Sequence, residues 1–355
     1  MSDSLLVPPA SSTARGPSQP TPRAPVDPRL DLVAEIHRLR RERNAVILAH
    51  YYQAGEIQDL ADFVGDSLDL SRKAASTDAD VIVFCGVKFM AEVAKILSPS
   101  KTVLLPDMAA GCSLEDSCKP GPFKAFRDAH PDHVAVSYIN CSAEVKALSD
   151  IIVTSSNAEA IIRQIPAGKP ILFAPDRNLG AYLAKVTGRD MTLWPGTCIV
   201  HESFAERELA KLKARHPKAL VASHPESAPA VLAGSDHVGS TRSILEYVLK
   251  TDAEEYIIGT DAGLIHQMQK QAPHKRFIPI AGTEGPCACN ACPFMALNTV
   301  EKLYLALRDM TPRLELAEPL RQAAQLPLER MLAMSASIPA PAETSPSSLT
   351  GMTVR

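Results

Sequence analysis

With 355 residues, 46% of them hydrophobic and only 5% aromatic, the chain has room for two or three modest domains and reads as α/β rather than aromatic-rich all-β. A net charge of −3 gives no sign of the basic surface of a nucleic-acid binder, and no run of about 18 apolar residues is present to form a membrane span. Eight cysteines without a secretory leader fit free thiols or metal ligands in the cytoplasm better than structural disulfides.

Residues 1–28 are rich in Pro and Ser, lack the apolar centre of a signal peptide, and are expected to form a disordered tail. From residue 29 the chain repeats itself. In the first copy, 29–117, the helix-like HRLRRERN runs into the apolar strand AVILAH, which ends at His50 with Tyr52 two residues on. ADFVGDSLDL follows, with Asp62 five residues before Ser67, then VIVFCGVKFMAEVAKIL, the strand TVLLPD and Cys112. The second copy, 118–205, runs FKAFRDAHPDHVAVSYIN, ending at Tyr138 and Asn140, then SDIIVTSSNA with Asp150 and Ser155, PILFAPDRNLGAYLAKV, TLWPG and Cys198. The third, 206–317, runs LAKLKARHPKALVASHPE, ending at His224 and Glu226, then SDHVGSTRSI with Asp236 and Thr241, YIIGTDAGLIHQMQ, FIPIAG and a cluster of Cys287, Cys289 and Cys292. Beyond, 318–355 thins into ASIPAPAETSPSSLTGMTVR and is expected to be mostly disordered.

The register of the copies carries the functional reading. Ser67, Ser155 and Thr241 each lie seventeen residues past the strand-end residue, His50, Tyr138 or His224. Val- and Ile-rich strands buried on both faces predict three similar three-layer αβα domains with short parallel sheets around a pseudo-threefold axis. Ligands of such sheets sit beyond the carboxyl ends of the strands, so the active site is expected at the shared centre. Ser67, Ser155 and Thr241 stand where helix N-caps belong, and three helix N-termini aimed at one point suit a substrate with several carboxylates or phosphates. His50, Tyr52, Tyr138, His224 and Glu226 are candidate proton donors and acceptors around it, and His201, three residues after Cys198 and without a repeat partner, is a weaker one. Singly, such residues are more often structural; it is the shared register that singles them out.

One cysteine per copy offers three soft ligands to a Zn²⁺ ion or an iron–sulfur cluster, leaving one position open to substrate. The competing reading is a local clip of Cys287, Cys289 and Cys292, with Cys112 and Cys198 as ordinary core residues. Cys85, Cys118 and Cys141 have no counterparts and read as buried spectators.

The motifs AHYYQ (49–53), GDSLDLS (65–71), PDMAAGCSLED (106–116), SYIN (137–140), WPGTCIVHE (194–202), SHPE (223–226), GSTRSI (239–244) and CPFMALNT (292–299) together resemble the quinolinate synthase family, from about Leu30 to about Met331. The resemblance implies an NAD-biosynthesis enzyme that works after L-aspartate oxidase and condenses iminoaspartate with dihydroxyacetone phosphate to quinolinate, losing phosphate and two waters. It implies a [4Fe–4S] cluster on Cys112, Cys198 and Cys292 with one iron open as a Lewis acid. Substrate binding falls on His50, Ser67, Tyr138, Asn140, Ser155, His224, Glu226 and Thr241, and proton traffic on Tyr52, Glu226 and His201. Some relatives carry C-x-x-C-x-x-C where this chain has Pro286 in place of the first cysteine, so a redox role for the extra cysteines does not carry over to Cys287 and Cys289. The rival readings are an iron–sulfur electron carrier or redox sensor, and a zinc-dependent hydrolase.

Overall fold

The computed structural model describes residues 25–282 and 290–336. The chain falls into two compact units, Met1–Asp31 and Leu32–Arg355. In the first, Arg29 donates to the Asp27 carboxylate from its backbone N–H and its guanidinium. Most of the N-terminal tail, the end of the C-terminal one, and Cys287 and Cys289 lie outside the described residues.

The second unit contains three four-stranded parallel sheets. The first comprises β1 (Ala45–His50), β2 (Phe63–Gly65), β3 (Val81–Cys85) and β4 (Thr102–Leu104). The second comprises β5 (Val134–Tyr138), β6 (Ile151–Val153), β7 (Ile171–Ala174) and β8 (Met191–Leu193). The third comprises β9 (Leu220–Ser223), β10 (His237–Val238), β11 (Glu255–Gly259) and β12 (Arg276–Pro279). All three have the same order, β2-β1-β3-β4, β6-β5-β7-β8 and β10-β9-β11-β12. Strand order therefore reverses beside the first strand of each sheet, the place where loops part and leave a crevice.

The repetition extends to single hydrogen bonds. Asp62, Asp150 and Asp236 accept from the backbone N–H of Ile47, Ala135 and Val221 at 2.9, 2.8 and 2.8 Å. Each donates its own N–H back to the carbonyl of the same residue. The aspartates that mark the repeat in sequence thus fasten each edge strand to its neighbour and have a structural task.

Alternate residues of a strand point to opposite faces, and both faces here are apolar. Tyr256 and Ile258 of β11 join a cluster with Ile244 and Leu264, whereas Ile257 joins Val200, Phe204 and Leu209 on the other side. The helices Leu32–Glu42, Pro120–Asp128 and Glu206–Arg215 each precede the first strand of a sheet, as the charged segments predicted. Among the described residues no helix is long and apolar enough to cross a membrane.

The structure differs from the sequence reading at the C-terminal end. The helix Val300–Asp309, assigned above to the third copy, packs on the helix Leu32–Glu42 and β3 of the first sheet. Residues 318–334, read as the start of a tail, form the helix Glu318–Met334. Ala324, Leu328 and Met331 on one of its faces are fully buried in the core shared by the first two sheets. Pro327 inside this helix, and the Pro- and Ser-rich sequence after it, hide an amphipathic spacing whose burial outweighs the lost backbone hydrogen bond.

Candidate active site

One cavity collects residues from all three sheets at the carboxyl ends of their strands. The first copy lines it with His50, Tyr52, Ser67 and Cys112. Tyr138, Asn140, Ser155, Cys198 and His201 come from the second, and His224, Glu226, Thr241 and Cys292 from the third. Every site residue read from the sequence therefore reaches the same space.

His50 ends β1 and His224 follows β9, and both are buried. In each case Nδ1 accepts the backbone N–H two residues on, from Tyr52 at 3.2 Å and from Glu226 at 3.4 Å. That bond leaves the proton of the neutral ring on Nε2. Burial holds both rings at a pKa of about 3, against the pull of Glu226, so they are neutral hydrogen-bond donors.

Glu226 is the electrostatic centre. Tyr138 Oη donates to its Oε1 at 2.6 Å, and His201 Nδ1 lies 3.0 Å from Oε2. Burial opposes its ionisation, but His201 and these hydrogen bonds outweigh burial and hold the carboxyl below the ordinary glutamate range. Burial first, then the nearby Glu226, pushes Tyr52 and Tyr138 well above the usual phenol value. The site therefore sets an ionised Glu226 beside two neutral phenols.

His201 Nε2 lies 3.0 Å from Thr260 Oγ1, which is 2.7 Å from Tyr52 Oη, itself 3.1 Å from Thr241 Oγ1. A continuous chain thus joins Tyr138, Glu226, His201, Thr260, Tyr52 and Thr241 across the three sheets.

The hydroxyls depart from the expected capping role. The helix Ser67–Ser76 is capped by Asp66, which accepts from Leu68 and Asp69, and the helix Thr241–Lys250 by Ser240, which accepts from Ser243. Ser67 and Thr241 are instead the first helical residues, and Ser155 precedes the Asn157 cap of the helix Ala158–Gln164. Asp66 and Ser240 thus cap in place of Ser67 and Thr241, and all three hydroxyls line the cavity, beside helix N-termini. Asn140 Oδ1 is buried there with no hydrogen-bond partner.

Backbone N–H groups of Leu114 and Glu115 reach the Cys112 sulfur, that of His201 reaches Cys198, and those of Phe294 and Met295 reach Cys292. Burial pushes all three thiols up, Cys292 to about 11. Cys198, His201 and Glu226 present ligand atoms within 4.8 Å of one another and could hold a metal ion. Cys85, Cys118 and Cys141 are buried elsewhere.

Sequence reasoning missed Thr260, Asp261 and Asn178. Asp261 lines the cavity, takes the Cys292 N–H on Oδ2 at 2.6 Å, and is pushed by burial to about 6. Asn178 donates to the Glu226 carbonyl at 3.0 Å. A signal was present for Asp261: APD and GTD follow β7 and β11, and Asp176 stands at the equivalent place.

The sequence profile of the quinolinate synthetase A protein family matches residues 34–333. A quinolinate synthase of a Synechococcus species is 60% identical over 306 residues, 86% of this chain and 96% of its own. Those of Microcystis aeruginosa and Thermosynechococcus vestitus are 58% and 57% identical, covering 89% and 91% of this chain and 98% and 99% of theirs.

Proposed function

This chain belongs to the quinolinate synthetase A family and carries its quinolinate synthase activity in NAD biosynthesis, and we propose that it condenses iminoaspartate with dihydroxyacetone phosphate in the shared cavity, releasing phosphate and two waters. The observation that carries this reading is the hydrogen-bonded chain from Tyr138 through Glu226 and His201 to Tyr52, set among three cysteines and three hydroxyls.

The donor set fits a [4Fe–4S] cluster. Cys112, Cys198 and Cys292, one from each sheet, would hold it: their raised thiols need a cation to ionise, and the backbone N–H groups at each sulfur suit thiolates. When bound, the cluster supplies Lewis acidity at an iron without a protein ligand, beside the substrate oxygens.

Binding and proton transfer belong to the chain's own residues. The Nε2–H groups of His50 and His224 and the hydroxyls of Ser67, Ser155 and Thr241 bind the carboxylates and phosphate, and Asn140 Oδ1 accepts from a substrate N–H or O–H. Glu226, ionised and 3% exposed, is the base that takes the proton whose loss precedes carbon–carbon bond formation. Tyr52, a neutral phenol, donates to the departing oxygen and is reprotonated along the chain Glu226–His201–Thr260, which returns the proton that Glu226 has taken. His201 keeps Glu226 and Tyr52 in proton contact. Val87, Phe89 and Met90 form an apolar wall that limits water. Iminoaspartate is the expected product of L-aspartate oxidase, a functional coupling that needs no docking surface, and the cytoplasm is the expected location.

Anaerobic incubation of the reconstituted protein with both substrates is expected to yield quinolinate and one equivalent of phosphate. Cys112→Ala, Cys198→Ala and Cys292→Ala should each abolish the brown chromophore, and Cys118→Ala should keep it. Full clusters in both the Cys112 and Cys198 variants would overturn the assignment. Zinc is the second reading, favoured by the proximity of Cys198, His201 and Glu226. It requires the His201–Glu226 proton to leave, and colourless, zinc-bearing, active protein after anaerobic purification would establish it.

A further inference from the structure

Two buried side chains that do not line the cavity hold the turns that do. Gln58, in the helix Gly55–Leu60 after β1, is 2% exposed, and its Nε2 donates to the carbonyls of Tyr51 at 3.0 Å and Gln53 at 2.8 Å. Between those two residues stands Tyr52. Lys146, in the helix Ala143–Ala147 after β5, is fully buried, and its Nζ donates to the carbonyls of Ile139 at 3.0 Å and of Cys141. Between those two stands Asn140. Gln58 and Lys146 are 88 residues apart, the same separation as His50 and Tyr138, so they occupy one position of the repeat.

Each device is locked from outside. Gln267 donates to Gln58 Oε1 at 2.8 Å, which fixes the amide orientation and turns Nε2 toward the carbonyls. The Gly263 carbonyl lies 2.9 Å from the same Nε2 and shares its two protons with the Tyr51 and Gln53 carbonyls, and a Cβ on Gly263 would lie 2.8 Å from the Tyr51 carbonyl oxygen and the Tyr52 Cα. In the second copy the ammonium faces the Phe89 ring at 5.3 Å, and Lys146 draws down the pKa of Glu92 and Glu115, two carboxyls that burial raises. The third copy has Leu232 at this position, and there Asn178 holds the Glu226 carbonyl directly. A fully buried ammonium is costly unless it is hydrogen-bonded and paired, so a lysine that spends its donors on two turn carbonyls is there for the turn.

We propose that Gln58 and Lys146 are repeat-equivalent positioning residues: each clamps the two carbonyls flanking a cavity residue, Tyr52 or Asn140, and so aims that side chain at the substrate. The proposal rests on the reading above only in taking Tyr52 and Asn140 to face substrate. Because Tyr52 is assigned to proton transfer and Asn140 to binding, loosening the two clamps has different kinetic signatures.

The test compares Lys146→Met with Lys146→Gln, both of which lose the charge while only Gln can donate to the carbonyls, and Gln58→Leu with Gln58→Lys. Steady-state kinetics on the reconstituted enzyme are paired with hydrogen exchange of the Gln53 and Cys141 amides, which close the two turns by bonding to the His50 and Ile139 carbonyls. Misplacement of a binding group predicts that Lys146→Met raises KM about tenfold with kcat within about threefold, and that Lys146→Gln stays within about threefold in both. Gln58→Leu is expected to lower kcat about tenfold at nearly constant KM, and Gln58→Lys to recover most of it. Exchange should quicken only in the turn whose clamp is lost. Folded Met and Leu variants with unchanged exchange and unchanged kinetics overturn the proposal, as does equal loss in the Met and Gln variants. If one apolar variant does not fold, the other pair decides. A wild-type protein that makes no quinolinate sinks the functional reading, while the exchange comparison still decides the clamp.

Discussion

Glu226 concentrates the chemistry of the site in one side chain. It meets Tyr138 and His201 directly, and its backbone is held by Asn178, so its two carboxylate oxygens are fixed toward different partners. Glu226→Gln keeps the size and the acceptor for Tyr138 but removes the base, and kcat should fall by about 10²–10⁴ with the chromophore intact. Retained turnover within fivefold would move the base elsewhere, and an electron carrier would not register the change. The two histidines make a separate prediction. Buried at a pKa of about 3 and near 6.5 when unfolded, each lets the unfolded chain bind the extra proton, so stability present above about pH 6.5 is lost as pH falls toward 3. Asp261, raised to about 6, acts oppositely below pH 6, because there the folded state holds the proton. Asp69, raised by burial to about 7, offsets the histidines in the same way, so the readout is the difference between the metal-free wild type and His50→Gln, about 1.4 kcal/mol per pH unit between pH 6 and 4. Urea midpoints at half-unit intervals check it, and His50→Gln should remove one proton from the slope. Residues of this kind were legible because the repeat put them in register. Thr260 was not, since its role depends on a hydrogen bond to Tyr52 from another sheet, which no spacing encodes.

At the scale of elements, strands and their order were readable because three Val- and Ile-rich runs recur with the same punctuation. Helix starts were less so: Asp66 and Ser240 precede the residues taken as caps, and either neighbour satisfies the sequence preference for a short polar side chain. The C-terminal helix was lost for a different reason. Its Pro327 and the low-complexity residues that follow argue against order, whereas Ala324, Leu328 and Met331 find a core made by other parts of the chain. That burial makes a prediction contrary to the behaviour of a tail. Leu328, fully buried, should cost about 2–5 kcal/mol when replaced by Ala, measured by denaturant unfolding, whereas exposed Leu326 should be near neutral. The Asp62, Asp150 and Asp236 bonds allow a like comparison across copies. Asp150→Ala leaves the Ala135 N–H without its acceptor, and a cost of about 1–3 kcal/mol is expected there.

In the whole molecule the repeat explains less than the contacts that break it. Tyr138 of the second copy meets Glu226 of the third, Tyr52 of the first meets Thr241 and Thr260 of the third, and Ser156 of the second donates to Asp66 of the first. These pairs join unlike residues, so self-similarity could place them near one centre without saying which would touch. The first two sheets also share one hydrophobic cluster, and the helix Glu318–Met334 packs across elements of both. Chains of this size with three sheets ordinarily unfold in steps. Here the shared core and the three-way hydrogen-bond chain leave no copy able to open without exposing apolar surface and buried polar groups of another, so one cooperative transition is expected. Trp194, the single tryptophan, lies just past β8 and packs on Phe123 and Phe126, which makes its fluorescence a local probe of the second copy. Its midpoint in guanidinium should coincide with that of far-UV circular dichroism, which samples all three. Fluorescence that changes while much of the dichroism persists would mean that the copies are independent modules meeting only at the site, and the cavity would then owe its shape to ligand rather than to the fold.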